Sequence, residues 1–245
     1  MTDRPRIVRI DSTPSAAARY GPGWAVVGVD VFRATTLLCT ASEKGRRCLV
    51  AADVAEGTAL AAHIPKALLG GEQQGLVPPE FDVGNSPAEF AHRSDLERPL
   101  VLVTSSGTPL LRRAASASVV YAACLRNVTA TTEQLIALEV DVAVIGAGTR
   151  GERRKEDDFG CAQIAAGLLA AGFDADTDTR ALVQRCMRLS TEWCASGSSA
   201  KFLRHVGRQD DIDFVLSHVD DVDSFLEVSG TEVLHHDRSW AAHAH

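Results

Sequence analysis

Seven short runs of Val, Leu, Ile and Ala, alternating with Ala- and Leu-rich stretches, constrain this chain more than any other feature. The runs are RIVRI (6–10), WAVVGV (24–29), RCLVA (47–51), KALLG (66–70), LVLVT (100–104), SVVYAA (118–123) and DVAVIG (141–146). Stretches with helical spacing lie at 34–45, 53–63, 108–115, 128–139 and 158–171. Nearly continuous apolar strands belong to sheets covered on both faces, and regular strand–helix alternation points to parallel pairing. The expected fold class is α/β, with three α/β/α layers and a largely parallel or mixed sheet. After Phe173 the pattern changes. DADTDTRALVQRCMRLSTEW reads as a helix entered from a capping-rich run, SSAKFLRHV as another, and DIDFVLS follows before the tail. We expect a helical C-terminal section over 173–245 beside a core over 24–172. Nothing of low complexity separates them, so 1–245 reads as one unit, with two lobes around a cleft as the other arrangement its length allows.

A chain of 245 residues can bury most of the surface its unfolded form exposes. Its low aromatic content, 5%, and many alanines suit helices packed closely on a sheet. A formal charge of −7 argues against a nucleic-acid partner, which would call for a basic face. Six cysteines show no CxxC pair or disulfide framework, so reduced thiols in a cytoplasmic protein are expected. Neither a secretory leader nor an apolar run long enough to span a bilayer is evident, so no membrane partner is expected.

The polar residues gather where such a fold binds ligands, beyond the carboxyl ends of the strands. DVFRATT (30–36) follows the second run, GGEQQG (70–75) the fourth, TSSGT (104–108) the fifth, RNVT (126–129) the sixth and GAGTRGERRKEDD (146–158) the seventh. Five such turns would meet at one edge of a parallel sheet. Thr35 and Thr36 open a helix, where free N–H groups favour an anion. Ser105, Ser106 and Thr108 surround Gly107, which permits a tight turn, and Asn127 adds an amide. Asp30, Glu72, Glu156, Asp157 and Asp158 are hard oxygen ligands of the kind Mg²⁺ prefers. Arg33 can pair with an oxyanion in fork geometry. Each piece has a plainer reading: the threonines as N-caps, TSSGT as a turn, the acidic run as a solvated first helical turn. Asp30 resists it, because an acid directly after WAVVGV is costly to bury unpaired. Gly146, Gly148 and Gly151 form a G-x-G-x-x-G, but a charged run precedes the next helix and no acid-tipped strand follows, so a dinucleotide site is not expected.

Taken together, VDVFRATT (29–36), GE (71–72), FDVGNSPAEF (81–90), TSSGT (104–108), Asn127 and AGTRGERRKEDDFGCAQI (147–164) resemble the 2-phosphosulfolactate phosphatase family in order and spacing. The resemblance covers about residues 24–172 and thins beyond, where only DIDFVL is familiar. It implies a Mg²⁺-dependent phosphatase acting on a small phosphorylated acid, 2-phosphosulfolactate, in a step toward coenzyme M. It also places Asn85 and Ser86 at the edge of the site. In this reading Asp30, Glu72 and an acid among 156–158 hold the metal, while Thr35, Thr36, Ser105, Thr108 and Asn127 hold phosphoryl oxygens. Arg33 stabilises the transition state, and water, Asp30 or Cys161 is the attacking group. A homodimer would suit the family. Two departures bear on the substrate: position 73 is Gln where the family has Arg, and position 106 is Ser where it has Asn. A phosphatase of another small phosphorylated acid, and a non-catalytic anion-binding protein, are the rival readings. The tail histidines His235, His236, His243 and His245 read as a flexible terminus rather than a metal site.

Overall fold

The seven apolar runs all become strands, because their side chains find apolar partners on both sides of one sheet. The computed structural model describes residues 4–238. The strands from these runs are β1 (Ile7–Asp11), β2 (Trp24–Val29), β3 (Cys48–Ala51), β4 (Leu68–Gly71), β5 (Leu100–Val103), β6 (Val119–Ala123) and β7 (Asp141–Gly146). A two-residue β8 (Asp174–Ala175) and a hairpin of β9 (Ser224–Ser229) and β10 (Glu232–Asp237) complete the sheet. The helices are α1 (Ala34–Glu43), α2 (Val54–His63), α3 (Pro87–His92), α4 (Gly107–Arg113), α5 (Val128–Ala137) and α6 (Lys155–Ala170). They are followed by α7 (Thr177–Cys186), α8 (Ser198–His205) and α9 (Gln209–Ser217).

Strand order is β4-β5-β3-β10-β9-β6-β2-β7-β1-β8. The strands at each end of this order pair in parallel, as the alternation predicts. The hairpin joins the two parallel blocks through three antiparallel ladders: β3 with β10, β10 with β9, and β9 with β6. The C-terminal section is therefore helical through Ser217 and then contributes two strands to the middle of the sheet. His235 and His236 stand in β10 rather than in a loose tail; His235 meets Glu43 of α1 at 2.9 Å and His236 stacks on Phe225. His243 and His245 lie outside the described residues.

Successive residues of β2 face opposite layers, as the pleat requires. Val26 packs with Leu37, Leu38, Leu110 and Leu111 of α1 and α4, whereas Val27 and Val29 pack with Phe159, Ile164 and Leu168 of α6 and Leu135 of α5. On the smaller block, Leu49, Val101 and Val103 pack under α2. Burying each such Val or Leu contributes about 1.5–3 kcal/mol, which explains why short segments suffice. All six cysteines are free and buried in these layers. Among the described residues no helix is long and apolar enough to cross a membrane.

Three antiparallel steps mean that β3 and β6 run in opposite senses, so a flat sheet would send the turns of the two blocks to opposite edges. The turns meet nonetheless. Gly107, which opens α4 after β5, lies directly against the Asp30 carboxylate after β2. α4 packs back over β2, with Leu110 and Leu111 against Gly28, and so carries Gly107 to the end of that strand. Convergence thus comes from the placement of α4 across a mixed sheet, not from the uniformly parallel edge that the sequence suggested.

Candidate active site

The site is assembled from four strand ends and a wall supplied by the C-terminal section. At the end of β2, Thr35 donates to the Asp30 carbonyl at 2.8 Å and accepts from the Asp30 amide at 2.9 Å. Thr36 donates to the Val31 carbonyl at 2.9 Å. Both hydroxyls are buried and spent on the turn that swings the chain into α1, so they shape the site without facing its cavity. The peptide bond between Phe32 and Arg33 is cis. Asp30 and Arg33 line the cavity, although each is almost wholly buried.

β4 and β5 are stitched together by Glu72. One carboxylate oxygen accepts from the Ser105 amide at 2.7 Å; the other accepts from the Ser105 hydroxyl at 3.0 Å and the Gly75 amide at 2.5 Å. The close approach requires Gly71, whose φ is +133° and where any side chain would overlap the Val103 carbonyl. Ser105 and Ser106 line the cavity, but Thr108 does not: it exchanges hydrogen bonds with Thr104 at 2.9 and 3.0 Å inside the turn. The side chain of Gln73 donates to its own loop at the Glu72 carbonyl, and Gln74 rather than Gln73 faces the cavity. Asn127 is drawn inward, accepting from the Cys124 amide and donating to the Ala122 carbonyl, so the turn after β6 stays out of the site.

The turn after β7 and the first turn of α6 sort the three acids. Asp157 bridges two turns, accepting from the Val31 and Gly148 amides, each at 3.0 Å. Glu156 reaches the cavity, and its Oε2 is a buried oxygen without a hydrogen-bond partner. Asp158 points elsewhere, forked by Arg153 at 2.9–3.1 Å and approached by Arg185. The acids facing the cavity are thus Glu156 and Asp157. Cys161 lies one turn further along α6, wholly buried and outside the cavity, its thiol pushed well up by burial and by Asp157 and Asp158. At the opposite rim Asn85 lines the cavity, with its side-chain oxygen buried and unpartnered, while Ser86 caps α3 by accepting from the Glu89 amide.

Other lining residues were not singled out from the sequence. Arg150 and Arg154 stand in the turn after β7, and Ser198, Ser199, Phe202 and Leu203 come from α8. The arginines lie within the AGTRGERRKEDD motif, but their role needs the folded turn to become visible. The α8 residues carry no motif at all; only their place in the fold brings them to the cavity, where Phe202 packs over Gly75. The cavity, open to solvent on one side, has a volume of about 480 Å³.

Electrostatics make this a cation-seeking place. Burial, then Glu72 and Glu156, raise the Asp30 carboxyl to about 7, against an opposing pull from Arg33. Glu156 is raised chiefly by burial, and Asp157 is raised by burial and then by Asp30 and Glu156. Asp30 and Asp157 are thus made harder to ionise by the acids beside them, an effect that a bound cation would relieve. Among the described residues no three acids, histidines or cysteines stand close enough to enclose an ion by themselves. Asp30, Glu72 and the unpartnered Glu156 oxygen nevertheless fit Mg²⁺, which keeps several waters and commonly takes one or two carboxylates together with substrate oxygens.

A family model described as 2-phosphosulpholactate phosphatase matches residues 11–227, so the match continues through α7, α8 and α9 into β9. A protein of Symbiobacterium thermophilum named probable 2-phosphosulfolactate phosphatase is 34% identical over 201 residues, covering 78% of this chain and 86% of the relative. A protein of the same name from Deinococcus radiodurans is 33% identical over 214 residues, covering 84% of this chain and 87% of the relative. The chain belongs to the 2-phosphosulpholactate phosphatase family of phosphoric monoester hydrolases.

Proposed function

We propose that this protein hydrolyses the phosphate ester of 2-phosphosulfolactate, or a close analogue, to the free hydroxy acid and phosphate, with Mg²⁺ as cofactor. The observation that carries the reading is the group of carboxylates facing one cavity with Arg33: Asp30 and Glu156, both buried and raised, and the half-buried Glu72, whose charge helps to raise Asp30. A Mg²⁺ ion held by these acids would offset charge on the phosphoryl oxygens and favour a deprotonated bound water.

The chain's own groups do the rest. Arg33 stabilises the charge that develops on the phosphoryl group and Ser106 donates to its oxygens, whereas Ser105 has both its donors committed to Glu72 and holds that acid in place. Attack on phosphorus falls to water or to the Asp30 carboxylate, since Cys161 sits outside the cavity. As the new bond to phosphorus forms the ester P–O bond breaks, and the departing hydroxyl oxygen takes a proton that comes from water; were Asp30 the attacking group, a water would then cleave the acyl phosphate to release phosphate and restore the carboxylate. Arg150 and Arg154 face the carboxylate and sulfonate of the substrate. Among the described residues Arg154 forms an ion pair with the exposed Glu152 alone, and Arg150 has no charged partner. A cytoplasmic location, a homodimer and a step toward coenzyme M belong to the same proposal.

A second reading is a phosphatase of a bulkier phosphorylated acid. It is favoured by the cavity's size, about 480 Å³, and by its apolar wall of Phe32, Phe202 and Leu203, more room than a three-carbon acid uses. Phosphate release from a panel of phosphorylated acids, including 2-phosphosulfolactate, with Mg²⁺ and with a chelator, tests both readings in wild type and Asp30→Ala. Mg²⁺-dependent release that is lost in the variant is expected, and the preferred ester separates the two. No turnover of any ester would overturn the phosphatase reading.

A further inference from the structure

The DIDFVL segment has no role in the site as described, yet its first residue reaches one of the site's central groups. Asp211, in the first turn of α9, is wholly buried. One carboxylate oxygen accepts from Arg33 Nη1 at 2.6 Å; the other accepts from the Ser86 hydroxyl at 2.6 Å and the Ala88 amide at 3.2 Å. A single carboxylate thus ties the turn after β2, the start of α3 and α9 together, about 120 to 180 residues apart in the chain.

We infer that Asp211 is the positioning residue for Arg33, and that through it the C-terminal section completes the phosphoryl site. This rests on the phosphatase reading only in naming the ester; the anion-binding consequence stands by itself. A guanidinium carries five N–H donors in a fixed plane. Among the described residues, Arg33 makes one hydrogen bond, to Asp211, and that bond sets the orientation of the plane while leaving the other donors for a bound oxyanion. Without an anchor, a long side chain at the cavity wall would sample several rotamers, and each binding event would have to order it again. The same carboxylate holds Ser86, next in sequence to the cavity-lining Asn85, so one residue aligns two walls of the site. Ion pairing with Asp211 also keeps a buried cation in place when no anion is bound, as an unpaired buried charge could not be.

The test is calorimetric binding of inorganic phosphate, in the presence of Mg²⁺, to the full chain and to Asp211→Asn, Arg33→Ala and the double variant. Steady-state phosphate release is measured on the same four proteins. Asp211→Asn is expected to weaken phosphate about tenfold, with kcat falling more than KM rises, and to have little further effect in the Arg33→Ala background. Ser86→Ala, a milder release of the same carboxylate, is expected to weaken phosphate two- to threefold, again only when Arg33 is present. It keeps the test open if Asp211→Asn folds poorly. Additive losses in the double variant, or unchanged phosphate affinity in both single variants that loosen the carboxylate, would overturn the inference. Wild type that binds phosphate but releases none from any ester would overturn the phosphatase reading, and the binding cycle would still decide the role of Asp211.

Discussion

Gly107→Ala is the sharpest test of how the two sheet blocks build the site. A Cβ at position 107 would lie 2.6 Å from the Ala34 Cβ and closer still to Asp30 Oδ2. Carbon atoms pack best at about 3.5–4.0 Å, so the neighbours must give by roughly 1 Å. The start of α1 is held by Thr35, Thr36 and a fully packed layer and cannot easily retreat, which leaves the Asp30 carboxylate to move. Overpacking of this kind costs about 1–3 kcal/mol, and displacing a reacting group by 1 Å can cost about 100-fold in rate. Urea unfolding and initial rates of phosphate release should therefore show a modest loss of stability and a disproportionate loss of kcat. Gly21→Ala is the control, since its nearest neighbour would be the Ser116 carbonyl at 4.0 Å; its stability should stay within about 0.5 kcal/mol of wild type. A Gly107→Ala protein with unchanged kcat would refute the claim that α4 and Asp30 are in working contact.

Three further outcomes follow from the same geometry. Asp158→Asn should cost about 1–2 kcal/mol in thermal or urea unfolding, discounted because Arg153 is half exposed, yet leave kcat/KM within about threefold; a collapse of activity would place Asp158 in the site after all. Arg150→Ala should raise KM for an ester bearing carboxylate and sulfonate groups about tenfold, the effect of losing one charge-assisted hydrogen bond, while leaving kcat for a simple aryl phosphate unchanged. The third concerns pH. The Glu43 carboxylate raises His235 above its ordinary 6.5, so the stability this histidine adds is complete below pH 6.5 and is lost as pH rises through its higher folded-state value. His235 in turn lowers Glu43 below 4.5, so that contribution is complete above pH 4.5 and fades only as pH falls through the lowered value. Urea midpoints of wild type and His235→Gln should therefore differ most near pH 5–6 and converge above the raised value; a difference that grows with pH would contradict the pairing.

The inner parallel strands were legible because they are buried on both faces and so are written as unbroken apolar runs, as in WAVVGV and DVAVIG, whereas the exposed two-residue β8 was not. The hairpin of β9 and β10 was not. Its apolar residues are broken up by polar ones, with Phe225, Leu226, Val228 and Val233 buried but Glu227, Leu234 and His235 half-exposed or exposed, and a polar stretch near the chain end reads as tail. Gly230, at φ +60° between the strands, was the local signal of the turn. At the site, Asp30, Arg33 and Glu72 could be read because polar residues at a strand end stand out against their apolar surroundings. The division of labour among neighbours could not. Thr35, Thr36, Thr108 and Asn127 look like ligand groups in a string of letters, but each satisfies a backbone group of its own turn.

By itself, then, the sequence determined the class of fold, the strand ends where chemistry gathers and the kinds of group they carry. All three follow from local rules: pleat, helix period and the cost of burying an acid. Tertiary structure alone decided which groups meet. Whether Glu156 or Asp158 faces the cavity depends on where Arg153 and Arg185 lie, and whether Arg33 is oriented depends on an aspartate 178 residues away. Those partners are selected by the strand order of a mixed sheet and the return of the C-terminal section across it. Such long-range placement leaves no period or spacing in the chain from which it could have been read.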